Sequence, residues 1–119
     1  MLLRHLEDCD EFIAGDSTRL REILHPDKMK IDIHYSLAHA ILPPGKTSQP
    51  HILHSSEVYY ILSGTGIMYI NGQIEPVVPG TTIYIPPRSI QFIENSGQDD
   101  LVFLCLVDPA WKKEDEFVQ

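Results

Sequence analysis

The sequence predicts an all-β domain, a small barrel or sandwich of short antiparallel strands, and three observations carry that expectation. Nine prolines and seven glycines punctuate the 119-residue chain, and β-branched or aromatic runs lie between them. Turn signals recur about every 8–12 residues, which is the spacing of sandwich and barrel strands. Only Ser17–Leu24 suggests a helix, and that segment is short.

Residues 1–30 read as an N-terminal arm of turns with one short element. Asp16 or Ser17 is placed to cap a helix over Ser17–Leu24, while Leu20–Leu24 reads equally well as an edge strand. The barrel is expected over residues 31–108, with strands at Ile31–Leu42, Glu57–Leu62, Gly66–Ile70, Gln73–Val77, Thr81–Ile85, Gln91–Asn95 and Leu101–Val107. Asn71-Gly72 is the sharpest hairpin signal, since both residues tolerate the positive φ of a type I′ turn. Ser63-Gly64-Thr65-Gly66 marks a bend, and Pro79-Gly80 a turn with φ preset at one position and free at the next. Pro86-Pro87 ends a strand because neither residue donates a ladder hydrogen bond.

Leu101–Val107 is apolar on both faces, with Leu101, Phe103, Cys105 and Val107 on one and Val102, Leu104 and Leu106 on the other. A strand with one wet face alternates more cleanly, so both faces are expected to be covered, one by the interior and one by a second subunit in a homodimer. Residues 109–119 form an acidic tail or a short terminal helix.

Composition narrows the function classes. The chain is 43% hydrophobic and 22% charged, with a formal charge of −8. An acidic domain without a basic cluster repels phosphate backbones, which argues against nucleic-acid binding. No run of about 18 apolar residues exists to span a membrane. Glu7-Asp8 interrupts the N-terminus before a signal-peptide core forms, so a cytoplasmic location is expected. Cys9 and Cys105 stand outside any C-x-x-C pair and are expected as free thiols, Cys105 as a small buried hydrophobe. No nucleophile elbow, phosphate-binding loop or dinucleotide fingerprint is present.

The histidines carry the functional signal. Gly45 is followed by five residues, His51, two residues, His54, two residues, Glu57, six residues and Gly64. Further on come Gly80, Pro86, Arg88, Gln91 and Asn95. In this order the segments resemble the cupin superfamily, whose first motif runs G(x)5HxH(x)3–4E(x)6G and whose second runs G(x)5PxG(x)2H(x)3N. The resemblance implies a small cupin-like jelly-roll barrel that holds a metal through three histidines and one glutamate. His51 falls on the first histidine and Glu57 on the glutamate. Leu53 occupies the second histidine's place with His54 one residue late, Arg88 replaces a glycine, and Gln91 replaces the last histidine.

The metal donors expected from this resemblance are His51, His54, Glu57 and Gln91, and the ion is a divalent Zn, Fe, Ni or Mn. Register decides which histidine takes part, because a one-residue shift moves every side chain to the opposite face. A three-residue hairpin loop, His54-Ser55-Ser56, sets Leu53 opposite Glu57 and turns His51 inward. A two-residue loop, Ser55-Ser56, turns His54 inward instead. Ser-Ser lacks the Gly or Asn that a two-residue turn favours, so the His51 register is preferred, and a bulge at Ile52-Leu53 would admit both. Glu57 and Gln91 have a second use, a hydrogen bond to each other within a polar pocket.

His39, Tyr59 and Arg88 complete the expected ligand pocket. His39 enters the interior if Leu37, His39 and Ile41 face inward, as a hydrogen-bonded core histidine or as an acid–base group. Tyr59 shares parity with Glu57, while Tyr60 faces outward. Arg88 stands by the barrel mouth, either binding a ligand carboxylate or phosphate or solvated in its loop. The functional expectation is a metal-binding cupin that binds or acts on a small polar metabolite, a sugar or organic acid, as an isomerase or dioxygenase if it is an enzyme. The alternative is a metal-free ligand-binding or sensor barrel.

Overall fold

Turn chemistry and period-two burial divide the chain into eleven short strands. A computed structural model describes residues 1–119, with β1 (Glu11–Ile13), β2 (Arg19–Leu24), β3 (Ser36–Leu42), β4 (His51–Leu53), β5 (Ser56–Ser63), β6 (Gly66–Ile70), β7 (Gln73–Val77), β8 (Thr82–Ile85), β9 (Ile90–Asn95), β10 (Leu101–Asp108) and β11 (Glu116–Val118). Two antiparallel sheets form a jelly roll. The large sheet has the order β1-β2-β3-β10-β5-β8 and the small sheet β11-β4-β9-β6-β7. No helix is long and apolar enough to cross a membrane.

The punctuation residues adopt the backbone their chemistry favours. Asn71 and Gly72 have φ of 49° and 83°, both positive as a type I′ turn requires, and they join Ile70 to Gln73 across the β6–β7 hairpin. Gly80 has φ of 89°, and the Thr81 N–H closes the turn on the Val78 carbonyl at 3.0 Å. After Pro86 and Pro87 end β8, Arg88 takes a positive φ of 63° and its N–H donates to the Leu53 carbonyl.

The core sits between the sheets, where Phe103 of β10 lies opposite Ala40 of β3 and Ile61 of β5. That placement corrects the parity expected for His39. Ser36, Ala38, Ala40 and Leu42 face inward, and Leu37, His39 and Ile41 face out. Small side chains at 38 and 40 leave room for the Phe103 ring, which longer residues at those positions would displace. β3 also starts at Ser36 rather than Ile31.

Three further expectations are revised. Ser17–Leu24 holds neither a helix nor an edge strand: β2 lies between β1 and β3. Asp16 caps no helix; its Oδ1 accepts from the Thr18 N–H at 3.1 Å and the Thr18 hydroxyl at 2.7 Å, closing a local turn. The step from β4 to β5 is a crossing between sheets rather than a hairpin, so Leu53 does not pair with Glu57. Residues 109–119 form a short 3-10 turn at Lys113–Asp115 and then β11, which pairs with β4 at the edge of the small sheet.

Candidate functional site

The large sheet curves over a cavity of about 460 Å³. β10 and β5 supply Phe103, Cys105, Glu57 and Tyr59 to its lining, and β4 supplies His51. The β1–β2 turn contributes Gly15 and Asp16, and the C-terminal segment contributes Trp111 and Glu116. Eleven of the twenty lining residues are hydrophobic, so polar groups are few and their positions decide the chemistry.

His51 faces inward because β4 pairs with β9, which sets it directly opposite Gln91 on the inner face of the small sheet. The His51 side chain is buried, and its Nδ1 lies 3.0 Å from the Gln49 carbonyl. A carbonyl only accepts, so Nδ1 carries the proton and Nε2 is left to face the interior. Nε2 stands 4.0 Å from Asp16 Oδ2.

Across the gap between the sheets, the Gln91 amide bridges two residues of β5. Gln91 Nε2 donates to Glu57 Oε1 at 2.6 Å, and the Tyr59 hydroxyl donates to Gln91 Oε1 at 3.2 Å. Gln91 is 1% exposed and Glu57 is 5% exposed, so the chain Tyr59–Gln91–Glu57 is dry on the protein side. No protein donor reaches the second Glu57 oxygen, which opens on the cavity. Burial pushes the Glu57 carboxyl up from 4.5 to about 7, with Asp16 and Glu116 pushing the same way and His51 and the Gln91 bond opposing them. Burial likewise raises the Tyr59 hydroxyl and the Cys105 thiol, so both stay protonated at neutral pH.

Of the expected site residues, His51, Glu57, Gln91 and Tyr59 come together. His54 does not join them: three residues after His51 and so of opposite parity, it is exposed, with its ring 5.1 Å from that of Phe117. His39 lies on the outer face of the large sheet, where burial and then Arg21 hold its pKa down while Glu11 opposes them. Arg88 is exposed in the turn before β9 and does not line the cavity.

The donor set does not fit the metal that the motif resemblance implies. Leu53 fills the second histidine's place, and both ends of the Gln91 amide are committed to Tyr59 and Glu57. No three His, Cys, Asp or Glu side chains converge as a ligand group.

Sequence reasoning missed several lining residues. Asp16 was legible only as a possible cap, although its turn is tied to the approach to β4 by the Gln49 N–H on the Asp16 carbonyl at 2.7 Å. Glu116 enters because Gly15 has no side chain; a Cβ there collides with Glu116 Oε1. Trp111 is fixed by the buried His25. The His25 Nε2–H donates to the Trp111 carbonyl at 2.7 Å while Nδ1 accepts from the Asp27 N–H.

Comparison with known proteins agrees with this architecture. The family described as a cupin domain matches residues 38–107. An uncharacterized protein of Methanocaldococcus jannaschii is 41% identical over 105 residues, covering 87% of this chain and 83% of that protein. An oxalate-binding protein of Thermotoga maritima is 36% identical over 67 residues, 56% of this chain and 55% of that one. Among solved structures, a Streptomyces nucleoside dehydratase superposes with a TM-score of 0.80 at 21% identity, covering 100% of this chain and 91% of that chain. At that identity the likeness is one of fold.

Proposed function

The chain belongs to the cupin domain family, and from that membership we propose that it binds a small molecule inside the barrel without a resident metal, with Glu57 as the proton-exchanging group. The Gln91 amide carries this reading. Members of this family commonly bind a metal, yet here the side chain at the last ligand position orients a carboxyl instead of offering a lone pair to a cation. A carboxyl at about 7 is close to half ionised at neutral pH, so it can give a proton to a ligand or take one. The oxygen that does so is the one facing the cavity.

The divalent-ion reading with His51, Glu57 and Gln91 is the competitor, and it requires the Gln91 oxygen, which already accepts from Tyr59, to serve the ion. A homodimer belongs to the same proposal. The outer face of the large sheet presents Leu37, Ile41, Val102, Leu104 and Leu106 half-buried beside exposed Tyr60 and Leu62, an apolar surface of the kind a second subunit covers.

The test is a thermal-shift screen of small metabolites against the wild-type protein and Ala38→Leu. Ala38 and Phe103 both line the cavity, so the leucine, or the Phe103 ring it displaces, fills ligand space. Compounds that stabilise the wild type and not the variant are expected. A screen without stabilising compounds, or stabilisation that persists in Ala38→Leu, contradicts binding in the barrel.

A further inference from the structure

The polar groups at the floor of the cavity are almost all acceptors. Glu57 presents an oxygen with no protein donor on it, from a side chain that is 95% buried by its 5% exposure. His51 turns Nε2 toward the same space, because its Nδ1–H is spent on the Gln49 carbonyl. Asp16 Oδ1 is taken by Thr18, and no protein donor sits on Oδ2. Among the donors nearby, the Tyr59 hydroxyl is used on Gln91 and the Gln91 amide on Glu57, and the Ser36 hydroxyl is the one neutral hydroxyl on the lining without a protein acceptor.

The charges agree with the hydrogen-bond inventory. Asp16, Glu22, Glu57 and Glu116 line the cavity. Glu22 is paired with Lys28; Asp16 has only the His51 imidazole 4.0 Å away and Glu116 only the Trp111 indole N–H at 3.4 Å, so no lysine or arginine pairs with Asp16, Glu57 or Glu116. Lys113 is the one lysine or arginine on the lining, and it is exposed at the rim. An anionic ligand entering this space meets like charge and, apart from the Ser36 hydroxyl and the exposed Lys113, no free donor to replace its water, so most of its desolvation goes uncompensated. The walls are aromatic and apolar, with Phe103, Tyr59 and Trp111 presenting rings to the same space. Rings attract a cation through their faces and accommodate an apolar body.

We propose that the cavity takes a small cationic amine, an ammonium group on an apolar or aromatic body, and rejects carboxylates and phosphates of similar size. The ammonium donates to the cavity-facing Glu57 oxygen, Asp16 adds its charge from the same lining, and the body lies against Phe103 and Trp111. This rests on the reading of the barrel as a ligand pocket and sets the chain apart from its oxalate-binding relative in charge preference.

Isothermal titration with 2-phenylethylamine, 3-phenylpropanoate and oxalate tests it. Each probe is titrated into the wild-type protein, Glu57→Gln and Asp16→Asn, and both variants keep the oxygen that accepts from Gln91 or Thr18. The amine is expected to bind the wild type, at least ten-fold more tightly than either anion, and to lose ten-fold or more in each variant. Far-ultraviolet circular dichroism of each variant, unchanged from the wild type, separates a lost contact from a lost fold. Equal or tighter binding of either anion overturns the inference, as does amine binding unchanged in both variants. Displacement of the amine by stoichiometric Zn²⁺ or Mn²⁺ overturns it as well. Absence of amine binding overturns the charge preference but leaves the pocket reading to the Ala38→Leu screen, so the two failures are distinguishable.

Discussion

Replacing Glu57 by Gln removes the one buried carboxyl at the centre of the site while keeping an oxygen for the Gln91 amide to donate to. In the wild type this carboxyl is raised from 4.5 to about 7, chiefly by burial. An acid whose pKa is higher folded than unfolded binds its proton more tightly in the native state. Its stabilising contribution is complete below 4.5, falls as pH rises, and is gone above about 7. At about 1.4 kcal/mol per pH unit, the loss across that window is about 3 kcal/mol. Glutamine does not titrate, so between pH 4.5 and 8.5 the stability difference between the proteins is expected to move by about 3 kcal/mol in the variant's favour. For a domain of this size that corresponds to a relative shift in Tm on the order of 10 °C. Melting curves of both proteins at half-unit pH intervals read this directly, and subtraction cancels the titrating groups that do not interact with Glu57. A difference that stays flat across the window, or that moves toward the wild type as pH rises, refutes the assignment of Glu57 as a carboxyl whose pKa burial raises to about 7.

Two glycines with nearly the same backbone should respond differently. Gly72 has φ of 83° with open space around it, so Gly72→Ala is expected to cost about 1–2 kcal/mol in urea denaturation. Gly64 has φ of 84° and a Cβ there falls 2.5 Å from the Asp100 carbonyl oxygen, so Gly64→Ala should cost clearly more; equal costs contradict the close approach of that bend to the start of β10. Ile61, fully buried at the core, is expected to lose about 2–5 kcal/mol on change to Ala, measured by the same denaturation. For the proposed homodimer, Leu104→Asp on the outer face of β10 should give a monomer by sedimentation while far-ultraviolet circular dichroism is unchanged; a wild type that already sediments as a monomer removes the dimer from the account.

Legibility in the sequence followed the range of the interactions. Asn71-Gly72, Pro79-Gly80 and Pro86-Pro87 act within a few residues, and each turn lies where its chemistry indicates. The parity of Glu57 with Tyr59, and of β10's inward and outward sets, is likewise local to one strand. His51 faces inward as its preferred register requires, but for a different reason: the pairing of β4 with β9 sets it there, and no hairpin to Glu57 exists. The face of β3 was misread because period two names two faces without saying which is inside. Only the bulk of Phe103, more than sixty residues later, selects Ala38 and Ala40. Asp16, Trp111 and Glu116 meet the site from both ends of the chain, through His25, Gln49 and the missing side chain of Gly15. Nothing near those residues in sequence marks them.

Elemental analysis of the purified protein beside Glu57→Ala tests the central claim most directly. The account predicts that neither sample carries near-stoichiometric Zn, Fe, Ni or Mn, and that adding each ion back does not change this, because Gln91 is held by Tyr59 and Glu57 and Leu53 has no lone pair to offer. One equivalent of such a metal in the wild type, lost in Glu57→Ala, contradicts it and restores the metal to the barrel.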